Sequence, residues 1–142
     1  LKEKKRLRNY YFAYGQHLSE YLATTSFQSA SFFKFAVLKD YRLCFDHRGL
    51  CSIVKSEEDY VEGIIYSINA DEIPEPFEGS MKLSLPALTD EGRWVDAITF
   101  VNKESDKSKS PEQELLDLLF KKYSDYGFNK SNLESALISA AL

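Results

Sequence analysis

Every run in this chain that reads as an extended strand lies before residue 103, and both segments that read as capped helices lie after it. That order favours an α+β architecture over a doubly wound parallel sheet, in which strands and helices would alternate. Asn9 to Tyr14 is aromatic and meets no breaker until Gly15. Val37 to Asp46 and Leu50 to Lys55 are two further strands. Between them Asp46-His47-Arg48-Gly49 is hairpin chemistry, because glycine accepts the positive φ such turns need. Tyr60 to Asn69 is the clearest strand, with β-branched residues throughout. Met81 to Leu88 and Arg93 to Asn102 are joined by the turn Thr89-Asp90-Glu91-Gly92. Residues 16–25 read as a short helix or turn, and Phe27 to Phe35 fits either state. Glu57-Glu58-Asp59 reads as an acidic loop between two strands, and Pro74 and Pro76 exclude a long helix over Asp71 to Gly79.

Beyond the polar linker 103–110, Ser110-Pro111-Glu112-Gln113 predicts a helix start. Ser110 can cap, Pro111 suits the first helical position, and Gln113 can complete a capping box. Leu115, Leu116, Leu118, Leu119 and Tyr123 give this helix a buried face, and Gly127 ends it. Ser131 with Glu134 predicts a second, shorter helix with Leu133, Leu137 and Ile138 facing inward.

The 142 residues fit one domain, 1–142, with enough apolar content for a real core. Ten Phe and nine Tyr suit a strand-rich interior, because flat rings pack well on a pleated surface. A formal net charge of −4 argues against non-specific nucleic-acid binding. The exception is the basic start over residues 1–8, read as a solvated tail. The chain opens on Leu rather than Met, consistent with loss of something upstream. No apolar run is long enough for a membrane span, no secretory signal is visible, and two cysteines make no disulfide framework. The expected setting is soluble, reducing and cytoplasmic. Cys44, His47 and Cys51 have no convincing fourth ligand, so they are read as a buried thiol pair and a loop histidine, with no metal.

Two stretches carry chemistry. Tyr11-Phe12-Ala13-Tyr14-Gly15-Gln16-His17-Leu18 is a strand that stops at a glycine, where consecutive backbone N–H groups can hold a carboxylate or an oxyanion. Phe77-Glu78-Gly79 sets a carboxylate before another glycine, just after the two prolines. An anion-binding backbone loop with an isolated acid is minimal equipment for chemistry on an amino-acid-like substrate. Glu75 reads as a surface charge. His17 is a candidate extra base or donor, against the commoner case of a partly exposed loop histidine.

These residues carry a resemblance to the γ-glutamylcyclotransferase family, in the branch that acts on γ-glutamyl amino acids. The family's opening Tyr-Phe-Ala-Tyr-Gly-Ser-Asn-Leu is similar to Tyr11 through Leu18. Leu38 to Phe45, Val61 to Ile68, Glu78-Gly79 and the stretch from Ser110-Pro111 through Gly127 to Leu137 resemble its next segments, in the same order. The resemblance spans about residues 10–138. It implies a small, mixed, mostly antiparallel β-barrel with flanking helices. It also implies a cradle for the γ-glutamyl group at Tyr14, Gly15, Gln16, His17 and Leu18, with Glu78 as general acid and base. The implied reaction cyclises the γ-glutamyl group to 5-oxoproline and releases an amino acid or amine, without metal or cofactor. The implied partner is a small γ-glutamyl substrate.

The sequence departs from that pattern at three places. Gln16 and His17 replace a Ser and an Asn. No Tyr stands in Ser80 to Leu85, and Gln113 or Glu114 occupies the place of a second pocket Tyr. A family member that keeps the fold as a binding or regulatory module, without turnover, is the alternative reading. Filling of the pocket by Gln16 or His17 would favour it.

Overall fold

The computed structural model describes residues 8–19, 28–72, 79–102 and 108–142. Five strands close into a barrel: β1 (Arg8–Ala13), β2 (Ser31–Phe45), β3 (Cys51–Asn69), β4 (Ser80–Thr89) and β5 (Trp94–Asn102). Around the barrel the order is β1-β3-β2-β4-β5. All neighbours run antiparallel except β1 and β5, which meet in parallel at Tyr11 and Ile98. A one-turn 3-10 helix, Gly15–Leu18, follows β1. Two α-helices close the chain, α1 (Gln113–Tyr126) and α2 (Lys130–Ala141). The α+β class is the one read from the order of strands and helices, and the barrel with flanking helices is the one the family resemblance implies.

The core is apolar and aromatic. Tyr11, Phe12 and Ala13 are consecutive and all buried, so β1 is covered on both of its faces. α2 packs on β2, and α1 packs on the 3-10 turn. The parallel seam is short, and two side chains reinforce it. The Thr99 hydroxyl donates to the Phe12 carbonyl at 2.9 Å, and the Tyr14 hydroxyl donates to the Phe100 carbonyl at 2.6 Å. Both bonds are buried, where leaving such a group unmade costs most. Pro86 is tolerated inside β4 because β2 pairs with β4 only at Leu88 and Thr89, so its missing N–H faces an unpaired edge.

Several local expectations change. The strands read as Leu50 to Lys55 and Tyr60 to Asn69 are one strand, β3. The acidic segment between them is a bulge, in which residues 56–59 face only Asp40 on β2. Asp40 and Glu58 both take positive φ there, and the Glu58 N–H donates to the Asp40 carboxylate at 3.2 Å. Polar side chains that bond locally to backbone let the chain turn out and return without ending the ladder. The ambiguous Phe27 to Phe35 resolves in part, since Ser31 to Phe35 opens β2. Arg8, grouped with the basic start, is instead the first residue of β1. Its guanidinium bonds the Ser67 hydroxyl at 2.7 Å and the Ser67 carbonyl at 2.8 Å.

The helix starts also move. α1 begins at Gln113 with Glu112 at its cap and no side-chain capping bond, so the Ser110 and Gln113 box does not form. Gln113 instead bonds Asp117 one turn on, at 2.8 Å. α2 is capped by Asn129, whose side chain accepts from the Ser131 N–H at 3.0 Å, two residues before the cap read from the sequence. Gly127 ends α1 in the left-handed conformation, as expected.

Gly63 of β3 fixes how closely β1 can approach. A Cβ there would lie 2.4 Å from the Ala13 carbonyl oxygen and 2.5 Å from the Phe12 ring. Gly63→Ala should therefore destabilise the protein by about 1–3 kcal/mol, through forced displacement of β1. Denaturant titration measures it, and an unchanged midpoint would show that the barrel relaxes freely at this point.

Candidate functional site

The 3-10 turn, the β2–β3 hairpin, the start of β4 and the end of β5 all meet at one end of the barrel. They enclose a cavity of about 250 Å³. Tyr11, Tyr14, Gln16 and His17 line it from β1 and the turn. Arg48, Leu50 and Cys51 line it from the hairpin, and Ser80, Phe100 and Asn102 complete it from β4 and β5. Its size is close to the roughly 300 Å³ at which small-molecule sites begin.

Of the expected cradle, Tyr14, Gln16 and His17 line the cavity, while Gly15 and Leu18 are buried behind it. Gly15 has φ +60, and a Cβ on it would lie 2.4 Å from the Cys51 Cβ and 2.8 Å from its sulfur. The glycine thus answers two needs at once, the left-handed backbone and the packing of the turn onto β3. Within the turn the His17 N–H donates to the Tyr14 carbonyl at 3.1 Å and the Ser19 N–H to the Gln16 carbonyl at 3.4 Å. The Gly15 and Gln16 N–H groups, at its start, have no acceptor within the turn itself.

Gln16 does not fill the cavity. Its side-chain oxygen accepts from the Cys51 N–H at 3.0 Å, so the amide is spent in pinning the turn to the first residue of β3. His17 is folded against Tyr11, edge to face, with ring centroids 6.3 Å apart. Burial disfavours its charged form and pushes its pKa down to about 4. It is therefore a neutral imidazole at physiological pH and a weak base. Burial likewise raises the pKa of Tyr11, of Tyr14 and of the Cys51 thiol, so these groups stay protonated.

The hairpin turn supplies what the sequence reading missed. The Asp46 side chain is buried. Its Oδ1 accepts from the Arg48 and Leu50 N–H groups at 2.8 and 2.9 Å, which closes the turn. Its Oδ2 accepts from Arg48 Nε at 3.2 Å, from Arg48 Nη2 at 3.1 Å and from the Asn102 amide at 2.6 Å. One carboxylate thus orients both a guanidinium and an amide in the cavity wall. The sequence signal was the Asp-x-Arg spacing inside a segment read only as a hairpin.

Glu78 and Glu75 lie outside the described residues. The two residues after Glu78 are described. Gly79 approaches Arg48, whose Nη atoms lie 4.0 Å from where a Gly79 Cβ would sit, and Ser80 lines the cavity. Among the described residues no group of His, Cys, Asp and Glu is arranged to hold a metal, and both cysteines are free thiols. Among them, too, no helix is long and apolar enough to cross a membrane.

No family model matches the sequence, and neither does any curated protein. Solved structures match by fold. The chain is similar to a γ-glutamyl cyclotransferase with a TM-score of 0.76 and 19% identity, over 92% of this chain and 86% of that one. It is similar to the uncharacterized protein loc79017 from Homo sapiens with a TM-score of 0.74 and 19% identity, over 91% of this chain and 86% of that one. It is also similar to YkqA from Bacillus subtilis with a TM-score of 0.69 and 18% identity, over 94% of this chain and 54% of that one. The chain has the γ-glutamyl cyclotransferase fold.

Two outcomes follow for the turn. Gly15→Ala should cost about 2–5 kcal/mol, combining a strained left-handed residue with the clash against Cys51. A near-wild-type denaturation midpoint would show that the turn can lift off β3. His17 titrates near 6.5 in the unfolded chain but only near 4 when folded. The stability it contributes is complete above pH 6.5 and is lost as pH falls from there to about 4. His17→Gln should therefore lose less stability than wild type between pH 7 and pH 5, both read from denaturant melts. Equal losses would contradict a neutral, buried His17.

Proposed function

We propose that the protein is a γ-glutamyl cyclotransferase-type enzyme that converts a γ-glutamyl amide to 5-oxoproline and a free amine-bearing product. The observation that carries this reading is the cavity itself. It remains open although Gln16 and His17 are bulkier than the Ser and Asn of the family pattern, and the residue two after Glu78 lines it.

In the reaction the substrate's α-amine attacks its own γ-carbonyl carbon, and a new C–N bond closes the five-membered lactam. The amide C–N bond then breaks, and the leaving nitrogen must gain a proton. Glu78 as a carboxylate takes the proton from the attacking amine and as a carboxylic acid returns it to the leaving nitrogen, so no external acid or base is consumed. The Gly15 and Gln16 N–H groups, at the start of the 3-10 turn, suit the substrate's α-carboxylate. The neutral His17, Tyr11 and Tyr14 make a wall that holds the chain of the γ-glutamyl group without competing for its proton. A cavity of about 250 Å³ suits a dipeptide-sized substrate.

Purified protein should release 5-oxoproline from γ-glutamyl dipeptides, measured by chromatography. Glu78→Gln should lower kcat by about 10²–10⁴-fold, the span expected on removing a general acid-base. Wild-type turnover that survives this substitution would remove Glu78 from the mechanism. No turnover on any γ-glutamyl compound would leave a binding module on the same fold.

A further inference from the structure

A second cleft, of about 290 Å³, lies where the corner between α1 and α2 crosses the sheet. It shares no described lining residue with the first cavity. Ser80 lines one and Thr89 the other, at opposite ends of β4, roughly 30 Å apart along the strand at about 3.3 Å per residue. The floor of the cleft is one row across three strands, because Val37 pairs with Glu62 of β3 and with Leu88 of β4. Cross-strand partners point to the same face of a sheet, so one carboxylate stands in an otherwise aliphatic row. The rest of the wall is aromatic. Gly127 turns the chain through a left-handed residue, with Tyr126 and Phe128 on either side of it, and both rings meet Phe35 of β2.

The three rings meet at centroid distances of 5.5, 5.6 and 6.0 Å, with interplanar angles of 55°, 48° and 89°. No pair is stacked face to face, so ring faces remain for other partners. A ring face is the electron-rich side and attracts cations. The chain already uses one in this way, since Lys122 Nζ lies 5.5 Å from the Tyr126 centroid. Lys122 does not itself line the cleft. Glu62 is half-buried beside these rings. Its Oε1 accepts from the Asn129 N–H at 2.7 Å, and among the described residues no Lys, Arg or His pairs with it. Burial raises its pKa, and the Asn129 N–H opposes that. The other acid in the wall, Asp90, is exposed and lies within the field of Lys34.

We propose that this cleft binds an alkylammonium cation, with the ammonium group on Glu62 and the alkyl chain against the rings and the aliphatic floor. A desolvated carboxylate without a counter-ion is costly, and an incoming cation recovers part of that cost. The rings add attraction for the same charge. A hard divalent metal is a poor occupant, because it needs several oxygen ligands and Glu62 is the one half-buried carboxylate among the described lining residues. An anion would be repelled by Glu62, and a neutral chain would leave it unpaired. A free amine and a lysine side chain carry the same group, and the test separates them. The site is independent of the γ-glutamyl reading of the other cavity, and either can fail alone.

The test is an amide NMR titration of the full chain at fixed ionic strength, following the Gly127 and Asp90 N–H signals. n-Butylammonium should shift both saturably and bind at least about tenfold more tightly than n-butanol, its neutral isostere, as expected for a hydrogen bond to a charged group. Glu62→Gln keeps an oxygen for the Asn129 N–H, so the corner stays anchored. It should bring the preference down to the roughly two- to fivefold that the rings alone supply. Tyr126→Leu should weaken n-butylammonium by about two- to fivefold and leave n-butanol nearly unchanged. Equal binding of amine and alcohol, or a tenfold preference that survives Glu62→Gln, would overturn the proposal. So would equal displacement of n-butylammonium by potassium, or no shift at either amide. The comparison of amine with alcohol uses the unaltered chain and does not depend on the folding of a variant. N-acetyl-lysine amide identifies the source. Binding equal to that of n-butylammonium supports a lysine side chain as ligand, and its exclusion while n-butylammonium binds supports a free amine.

Discussion

The open end of this barrel depends on one buried carboxylate. Asp46 closes the β2–β3 hairpin through its Oδ1 and reaches across to β5 through the Asn102 amide. Its main-chain carbonyl accepts from the Lys109 N–H at 3.0 Å, which ties the segment leading into α1 to the same turn. A carboxylate taken out of water needs such partners, because an unpaired one would cost several kcal/mol. With them, a single residue sets the relative positions of the hairpin, the last residue of β5 and the approach to the helices. Gly49 lies beneath the Ser110 carbonyl, 2.8 Å from where its Cβ would be, so the same turn is also the floor on which that segment rests.

The 3-10 turn is anchored by different means to the neighbouring residues of the hairpin. Gly15 packs on Cys51 without a side chain, and Gln16 caps the Cys51 N–H. Both contacts converge on the first residue of β3, five residues after Asp46. This accounts for the exchange of a small polar residue for Gln at position 16. The longer amide reaches a strand N–H, and in doing so it leaves the cavity open instead of closing it. The departure from the resembled family's loop therefore leaves the cavity open.

Strand identity was legible in the sequence wherever apolar and aromatic residues ran without a breaker, as in Tyr60 to Asn69 and Arg93 to Asn102. Less legible was what depends on long-range pairing. The fusion of two strands through Glu57-Glu58-Asp59 requires β2 alongside, with Asp40 supplying an acceptor for the Glu58 N–H, and no local signal encodes that. The helix caps were misjudged for a local reason, since Ser110 and Ser131 were credited where Glu112 and Asn129 hold the cap positions. At the site, the loop glycine was visible because glycine before a polar pair interrupts an aromatic strand. Arg48 and Asn102 were not visible. They are far apart in the chain and become partners only through Asp46, and the hairpin reading gave Asp46, His47 and Arg48 no further task.

The pairing of Arg48 with Asp46 carries a cost that bears on what such a site can be for. A carboxylate 3.1 Å from the guanidinium neutralises much of its field, so a ligand anion gains less than it would from an isolated arginine. A site selected for affinity alone would do better with an unpaired cation. What the pairing supplies is direction. Nε and one edge of Nη2 are committed to Asp46, Asn102 supports the same nitrogen, and the plane of the guanidinium is fixed relative to the cavity. Among the described residues that line the cavity, the others are uncharged, so the plane of this one cation is the fixed electrostatic feature of the described wall.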